Sequence, residues 1–212
     1  MSEPIERVMP LVIRIERDDP PERTDALVAA AGAVLRMLTT DEPEWVAAVA
    51  AWDGYRIRKV VRRARGADWR RAEALPGLTA VHGTAQVRAF PPILLDGWPP
   101  ELAKLQVGGT ELTDSAALPP VDKDLPLVLL APGLEMSAGK AMAQVGHAAQ
   151  LGWRAATAEQ QAAWRGREFA VEVREATRDR WSAALASGAP VVQDAGFTEV
   201  TPGSRTALVL LP

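Results

Sequence analysis

Three polar residues stand at helical spacing in the segment Leu134 to Ala148: Lys140, Gln144 and His147. On a helix these positions, i, i+4 and i+7, fall on one face, within about 40° of Lys140. A lysine, an amide and an imidazole along one stripe at a helix start form an anion-handling surface. The helix N-terminus adds unpaired N–H groups and a partial positive charge. The same pattern also describes a solvated helix face with a half-buried histidine. A second segment runs from Gln193 to Ser204 and joins two apolar runs. Asp194 directly follows Val191-Val192, at a strand end, where α/β sites are built. Gly196 permits a turn there and Pro202-Gly203 another; Asp194 alone also suits a structural turn cap. Gly139-Lys140 resembles part of a phosphate-binding loop, but Leu134 stands where a glycine is required and Ala141 where serine or threonine is required. Nucleotide hydrolysis is therefore excluded.

Composition narrows the field. The chain has 212 residues, 48% hydrophobic and 24% charged, which is ordinary globular content. That length fits one large domain or two smaller ones. The formal net charge of −3 rules out a generally basic coat for nucleic acid, though not a local basic patch. There is no cysteine, hence no thiolate metal site or cysteine nucleophile, and His82 and His147 are the only histidines. No metal and no cofactor are expected. No apolar run suggests a membrane span and no signal peptide is visible, so a cytoplasmic location is expected.

The chain reads as two halves. Trp52 lies in Ala-Trp-Asp-Gly and Trp164 in Ala-Trp-Arg-Gly; Trp69 and Trp181 follow at the same interval. Each half opens with Pro-Leu and an apolar run, at Pro10 and at Pro126. Each closes on another run, Ile93-Leu94-Leu95 and Leu208 to Leu211. The expected domains are residues 1–112 and 125–212, with a linker at 113–124 rich in Pro and Asp. The second half predicts strand 127–130, helix 137–153, a short helix 158–164, strand 169–173, helix 178–187 ended by Gly188, strand 191–192 and strand 207–211. The first half parses alike, with strand 12–15, helix 23–37, strand 56–62 and helix 69–75. The expected fold class is α/β: two tandem three-layer α/β/α units, each with a four-stranded mixed sheet, packed as a pseudo-dimer.

Together the two polar segments resemble a family. Lys-x-x-x-Gln-x-x-His-Ala after Met-x-x-Gly, then Asp-Ala-Gly-x-Thr-x-x-x-Pro-Gly about 50 residues later, is similar to the type 2 (archaeal and eukaryotic type) peptidyl-tRNA hydrolases over residues 125–212. The resemblance implies a four-stranded mixed sheet between helices and hydrolysis of the ester joining a peptide to tRNA. It carries catalytic positions onto Lys140, Asp194 and Thr198, with Gln144 and His147 nearby, and substrate contacts onto Gly139, Gly196 and Thr201. The chain departs from the family pattern at Ala131-Pro132-Gly133-Leu134, at Phe197-Thr198-Glu199 and at Ser204. These changes remove two positive charges and add Glu199, which weakens phosphate binding by this half.

The first half lacks the chemistry. With the opening strands aligned, Thr24 falls at Lys140, Val28 at Gln144 and Ala31 at His147; Val81-His82-Gly83 falls near Asp194. It reads as a degenerate duplicate. It carries instead Arg56, Arg58, Lys59, Arg62, Arg63, Arg65, Arg70 and Arg71 in one stretch, opposed only by Asp68. On a strand, Arg56, Arg58 and Arg62 share one face. This is either a charged edge strand guarded against aggregation or a tRNA backbone contact through Arg58, Arg62 and Arg63. The expected activity is hydrolysis of peptidyl- or N-blocked aminoacyl-tRNA by a monomer acting as a pseudo-dimer, with tRNA as partner and no membrane. The alternatives are a non-catalytic RNA- or protein-binding module and a hydrolase of a different acyl ester or amide.

Overall fold

The computed structural model describes residues 6–196 and 199–212. In chain order its elements are β1 (Arg7–Arg14), α1 (Arg23–Leu38), α2 (Pro43–Asp53), β2 (Lys59–Ala64), α3 (Gly66–Glu73), β3 (Leu78–His82), β4 (Ala85–Ala89), β5 (Ile93–Leu94), α4 (Pro100–Ala103), β6 (Leu127–Leu130), α5 (Ala138–Ala155), α6 (Ala158–Gly166), β7 (Glu172–Glu175), α7 (Arg178–Ala186), β8 (Val191–Gln193) and β9 (Arg205–Leu210).

They form two mixed sheets of one topology. The first runs β2-β1-β4-β3, with the two-residue β5 also paired to β1; the second runs β7-β6-β9-β8. In each, the first strand is parallel to the second and antiparallel to the fourth, and the third is antiparallel to the fourth. The expected tandem α/β units are thus present.

Three expectations change in detail. The counterpart of β9 is β4, not the run Ile93-Leu94-Leu95, which supplies β5. In β4, Ala85, Val87 and Ala89 are buried and Gln86 and Arg88 are not, a half-buried alternation without a continuous apolar run. The strand expected at 169–173 starts only at Glu172, because Glu168 and Phe169 make a left-handed turn (φ 54° and 64°) after α6. The strand expected to begin at Arg56 starts at Lys59, so Arg56 and Arg58 precede it and share no strand face with Arg62.

The layers follow from which faces are apolar. α1 and α5 lie against each other between the two sheets, and one continuous core runs from Met9, Leu11 and Val87 through both helices to Val128 and Val209. Small residues allow the close approach: α1 buries Ala26, Ala29, Ala30 and Ala33, and α5 buries Ala141, Ala148 and Ala149. At Gly146 a Cβ would stand 3.0 Å from Val34 and 3.3 Å from Lys59. The outer face of the first sheet is covered by α3 and α4 through Trp69, Ala72 and Leu102, and that of the second by α7 through Trp181 and Ala184. The expected linker is fastened at its start to the beginning of α1: Asp114 accepts hydrogen bonds from the Thr24 amide and hydroxyl, and Ser115 donates to Glu22, while Leu112 just before it joins the core. Among the described residues no helix is long and apolar enough to cross a membrane.

Candidate active site

α5 brings the stripe together. Ser137 caps it, its hydroxyl accepting from the Lys140 amide, and the helix runs through Lys140, Gln144 and His147. Asp194 sits where β8 ends and faces that stripe. Lys140 Nζ donates to Asp194 Oδ2 at 2.6 Å, Gln144 Nε2 donates to the same oxygen at 2.7 Å, and the Gly196 amide donates to Oδ1 at 2.7 Å. The Lys140 and Asp194 side chains are each only 10% exposed, so water screens their attraction weakly. Burial by itself would raise the Asp194 carboxyl; hydrogen bonds from Lys140, Gly196 and Gln144 and the lysine charge outweigh it and hold it below its ordinary value.

Gly196 is required for this arrangement. Its φ of 76° is left-handed, and a Cβ there would overlap the Pro202 ring. The Gln144 amide is also fixed from behind, because Thr206 Oγ1 donates to its Oε1 at 2.5 Å. Thr206 was not legible in the sequence. Ala207 and Val209 face α5, so simple alternation would send Thr206 to the opposite face. Val192 pairs with Ala207 but Gln193 with Arg205, leaving Thr206 as the extra residue of a β-bulge that turns its side chain to Gln144.

The expectation of an open anion site at the α5 N-terminus is corrected. The Ser137 amide and hydroxyl both donate to the Glu199 carboxylate at 2.8 Å, and the Gly139 amide donates to the buried Thr110 hydroxyl at 3.0 Å. The protein's own groups take those donors: Gly139 lines the cleft, with its amide bonded to Thr110. Thr201 is exposed and outside the cleft lining. Thr198 lies outside the described residues.

His147 faces the other half of the chain. Lys59, at the start of β2, reaches across the seam; its Nζ lies 3.1 Å from His147 Nδ1 and 2.6 Å from Gln150 Oε1. Gln150 in turn donates to Asp53, which Arg154 also contacts. The Lys59 ammonium stands 4.7 Å from the centre of the Trp52 ring. Burial pushes Lys59 well below its ordinary value, Arg154 adding to the effect and Asp53 opposing it. Burial likewise pushes His147 well down, helped by the positive charges of Lys59 and Lys140, so the imidazole is neutral at neutral pH.

These groups line a cleft of about 640 Å³ between the halves. The second half supplies Lys140, Gln144, His147 and Asp194. The first supplies Ile57, Val60, Val61 and Val107, with Arg56, Arg58 and Glu6. Arg62 and Arg63 are elsewhere engaged. Arg62 stacks 4.3 Å from Trp98 and donates to the carbonyls of Ala103 and Leu105. Arg63 donates to Gly108 and pairs with Gln106. Both fasten the segment after α4 along the β2 edge.

The corresponding corner of the first half is closed. Counted from the helix caps Glu22 and Ser137, the position of Lys140 is held by Asp25, of Gln144 by Ala29 and of His147 by Gly32, one residue beyond the sequence alignment through Thr24. The strand register places His82 where Asp194 stands, as expected near Val81-His82-Gly83. The carboxylate is on the helix instead: Asp25 lies 3.9 Å from His82 Nε2 and accepts from the Thr84 amide and hydroxyl. A two-residue turn, Gly83-Thr84, replaces the long connection of the second half. Among the described residues no group of three or more histidines and carboxylates is placed to hold a metal.

A parallel-antiparallel α/β unit with a lysine-aspartate-glutamine cluster at a strand end defines the second half. The family model described as peptidyl-tRNA hydrolase PTH2 matches residues 121–212, which supports the type 2 peptidyl-tRNA hydrolase family for this C-terminal part. No curated protein matches the chain.

Proposed function

We propose that the chain hydrolyses the ester between a peptide, or an N-blocked aminoacyl group, and tRNA, releasing tRNA for reuse. The observation that carries this reading is the Lys140–Asp194–Gln144 cluster, bonded at 2.6 and 2.7 Å on the cleft lining, inside the segment that the family model matches. Water attacks the acyl carbon, the bond to the ribose oxygen breaks, and that oxygen takes a proton. A carboxylate held below its ordinary range is a weak base, so Asp194 acts mainly by accepting a hydrogen bond from the attacking water and orienting it. Lys140, anchored on Asp194, stabilises the charge that develops on the acyl oxygen. Gln144, locked by Thr206, holds Asp194 in place. Thr198 is assigned to positioning water or substrate on the strength of the resemblance alone.

The first half, residues 1–112, is a scaffold derived from the same unit and joined to the catalytic half, residues 125–212, by the linker. Its apolar contribution to the cleft, Ile57, Val60 and Val107, suits the acyl portion of the substrate. Its contact with tRNA phosphates falls to Arg56 and Arg58, since Arg62 and Arg63 are held by carbonyls. The protein works as a cytoplasmic monomer. The test is release of tRNA from N-acetyl-aminoacyl-tRNA by the purified protein. Asp194→Ala should abolish release while leaving tRNA binding in place; release unchanged in that variant would end the hydrolase reading.

A further inference from the structure

We infer that His147 is a hydrogen-bond donor to the reacting acyl group through Nε2–H, and that Lys59, contributed by the non-catalytic half, is the positioning residue that selects this tautomer. The inference rests on the proposed hydrolysis for its substrate, but the link between Lys59 and His147 stands on geometry alone. An ammonium carries three hydrogens and no acceptor. Lys59 Nζ has three acceptors around it: Gln150 Oε1 at 2.6 Å, His147 Nδ1 at 3.1 Å and the Ile57 carbonyl at 3.4 Å. With the Trp52 face 4.7 Å away, these partners favour the ammonium form against the burial that lowers its proton affinity. Gln150 is oriented to accept because its own amide nitrogen donates to Asp53. If Lys59 donates to Nδ1, that nitrogen carries a lone pair, and the ring hydrogen of a neutral imidazole must sit on Nε2.

Nε2 has no hydrogen-bond partner among the described residues, nor is it a buried atom left unsatisfied. His147 lines the same cleft as Lys140 and Asp194. A neutral N–H donor one helical turn beyond Gln144 adds a second group that can meet the developing oxyanion beside the Lys140 ammonium. Neutrality is an advantage there, because a second cation beside Lys140 would be repelled by it. The seam is thereby part of the active site. The first half has no lysine and aspartate of its own at these positions, yet it sets the protonation pattern of the other half's histidine.

The chain has two histidines, so histidine-selective ¹⁵N labelling gives two spin systems, and His82→Asn leaves one. In the full-length protein at neutral pH, His147 should show the pattern of a neutral Nε2–H ring. Lys59→Met should change it towards a mixture of tautomers and lower kcat for N-acetyl-aminoacyl-tRNA by about tenfold or more, with KM little altered. His147→Gln, which keeps an amide donor, should retain more activity than His147→Ala. A wild-type ring found as the Nδ1–H tautomer, or a folded Lys59→Met protein with the tautomer unchanged, overturns the inference. If Lys59→Met does not fold, the wild-type spectrum still decides. A wild-type Nε2–H ring whose tautomer depends on Lys59, in a protein that hydrolyses no aminoacyl-tRNA, would sustain the link and overturn the hydrolase reading and the donor role with it.

Discussion

Trp52 and Trp164 make the same bond in the two halves: each indole N–H donates, at 2.9 Å, to the carbonyl six residues further along, that of Arg58 and that of Ala170. Both rings are buried. Each bond ties the end of one helix, α2 or α6, to the residue that leads into the parallel strand, β2 or β7. Replacing either tryptophan by phenylalanine removes the donor; the Arg58 carbonyl keeps its bond from the Met9 amide, whereas the Ala170 carbonyl loses the indole. The expected cost is about 1 kcal/mol for Trp52→Phe and about 1–3 kcal/mol for Trp164→Phe, and the larger shift in denaturant midpoint should fall on Trp164→Phe. Trp52→Phe should in addition loosen Lys59, whose ammonium stands over that ring.

The basic stretch divides into two groups with different expected phenotypes. Arg62 and Arg63 hold the segment after α4 by carbonyl bonds, so their replacement by alanine should lower stability and leave the salt dependence of tRNA binding nearly unchanged. Arg56 and Arg58 line the cleft beside Glu6. Changing both to alanine should weaken tRNA affinity and reduce the salt slope by roughly 0.7–0.9 for each phosphate that is no longer neutralised. Filter binding across a salt series reads both pairs, and an identical slope for the Arg56/Arg58 variant would remove these residues from the interface.

Much of this was legible because local patterns were clean. The 3.6-residue spacing of Lys140, Gln144 and His147 placed them on one helix face, and the paired tryptophans marked two units whose sheets share one strand order. What stayed hidden depends on register or on contacts across the seam. Strand β4 alternates without an apolar run, so the sequence points to Ile93-Leu94-Leu95 as the closing strand of the first half. Thr206 reaches Gln144 only because of a bulge. Lys59 reads as one more charge in a basic stretch, and only the packing of α5 against β2 reveals it as buried and beside His147.

The bulge makes a prediction of its own. Thr206→Val keeps the shape of the side chain but removes the hydroxyl that donates to Gln144 Oε1, leaving a buried acceptor unmatched. The expected cost is about 1–3 kcal/mol, together with lower kcat because the amide that holds Asp194 is released. Gly196→Ala should separate the two effects. The loop cannot keep its φ of 76° or its distance from Pro202, so activity should fall sharply while the melting temperature changes little. Full activity in Gly196→Ala would show that the Asp194 loop tolerates rearrangement.

His147 predicts how stability varies with pH. Its proton affinity in the folded chain lies well below the ordinary value, from burial first and then from Lys59 and Lys140. An unfolded histidine takes up a proton as pH falls through about 6.5. The folded ring does not, so the unfolded state binds more protons and is favoured in that range. Stability conferred by the neutral ring is therefore complete above about pH 6.5 and is lost as pH falls from there towards the folded value, at up to about 1.4 kcal/mol per pH unit. Asp194 acts in the same direction but only in the acid range, since its carboxyl also lies below its ordinary value. Lys59 is lowered as well and acts in the same direction, from its ordinary range downwards. The difference between wild type and a histidine variant over pH 7.5 to 5.5 therefore reads the histidine. Urea unfolding of wild type and of His147→Gln at both pH values should show a loss for wild type and a smaller one for the variant. Parallel losses would mean that His147 accepts a proton in the folded protein as readily as in the unfolded one, contrary to a neutral ring held in the seam.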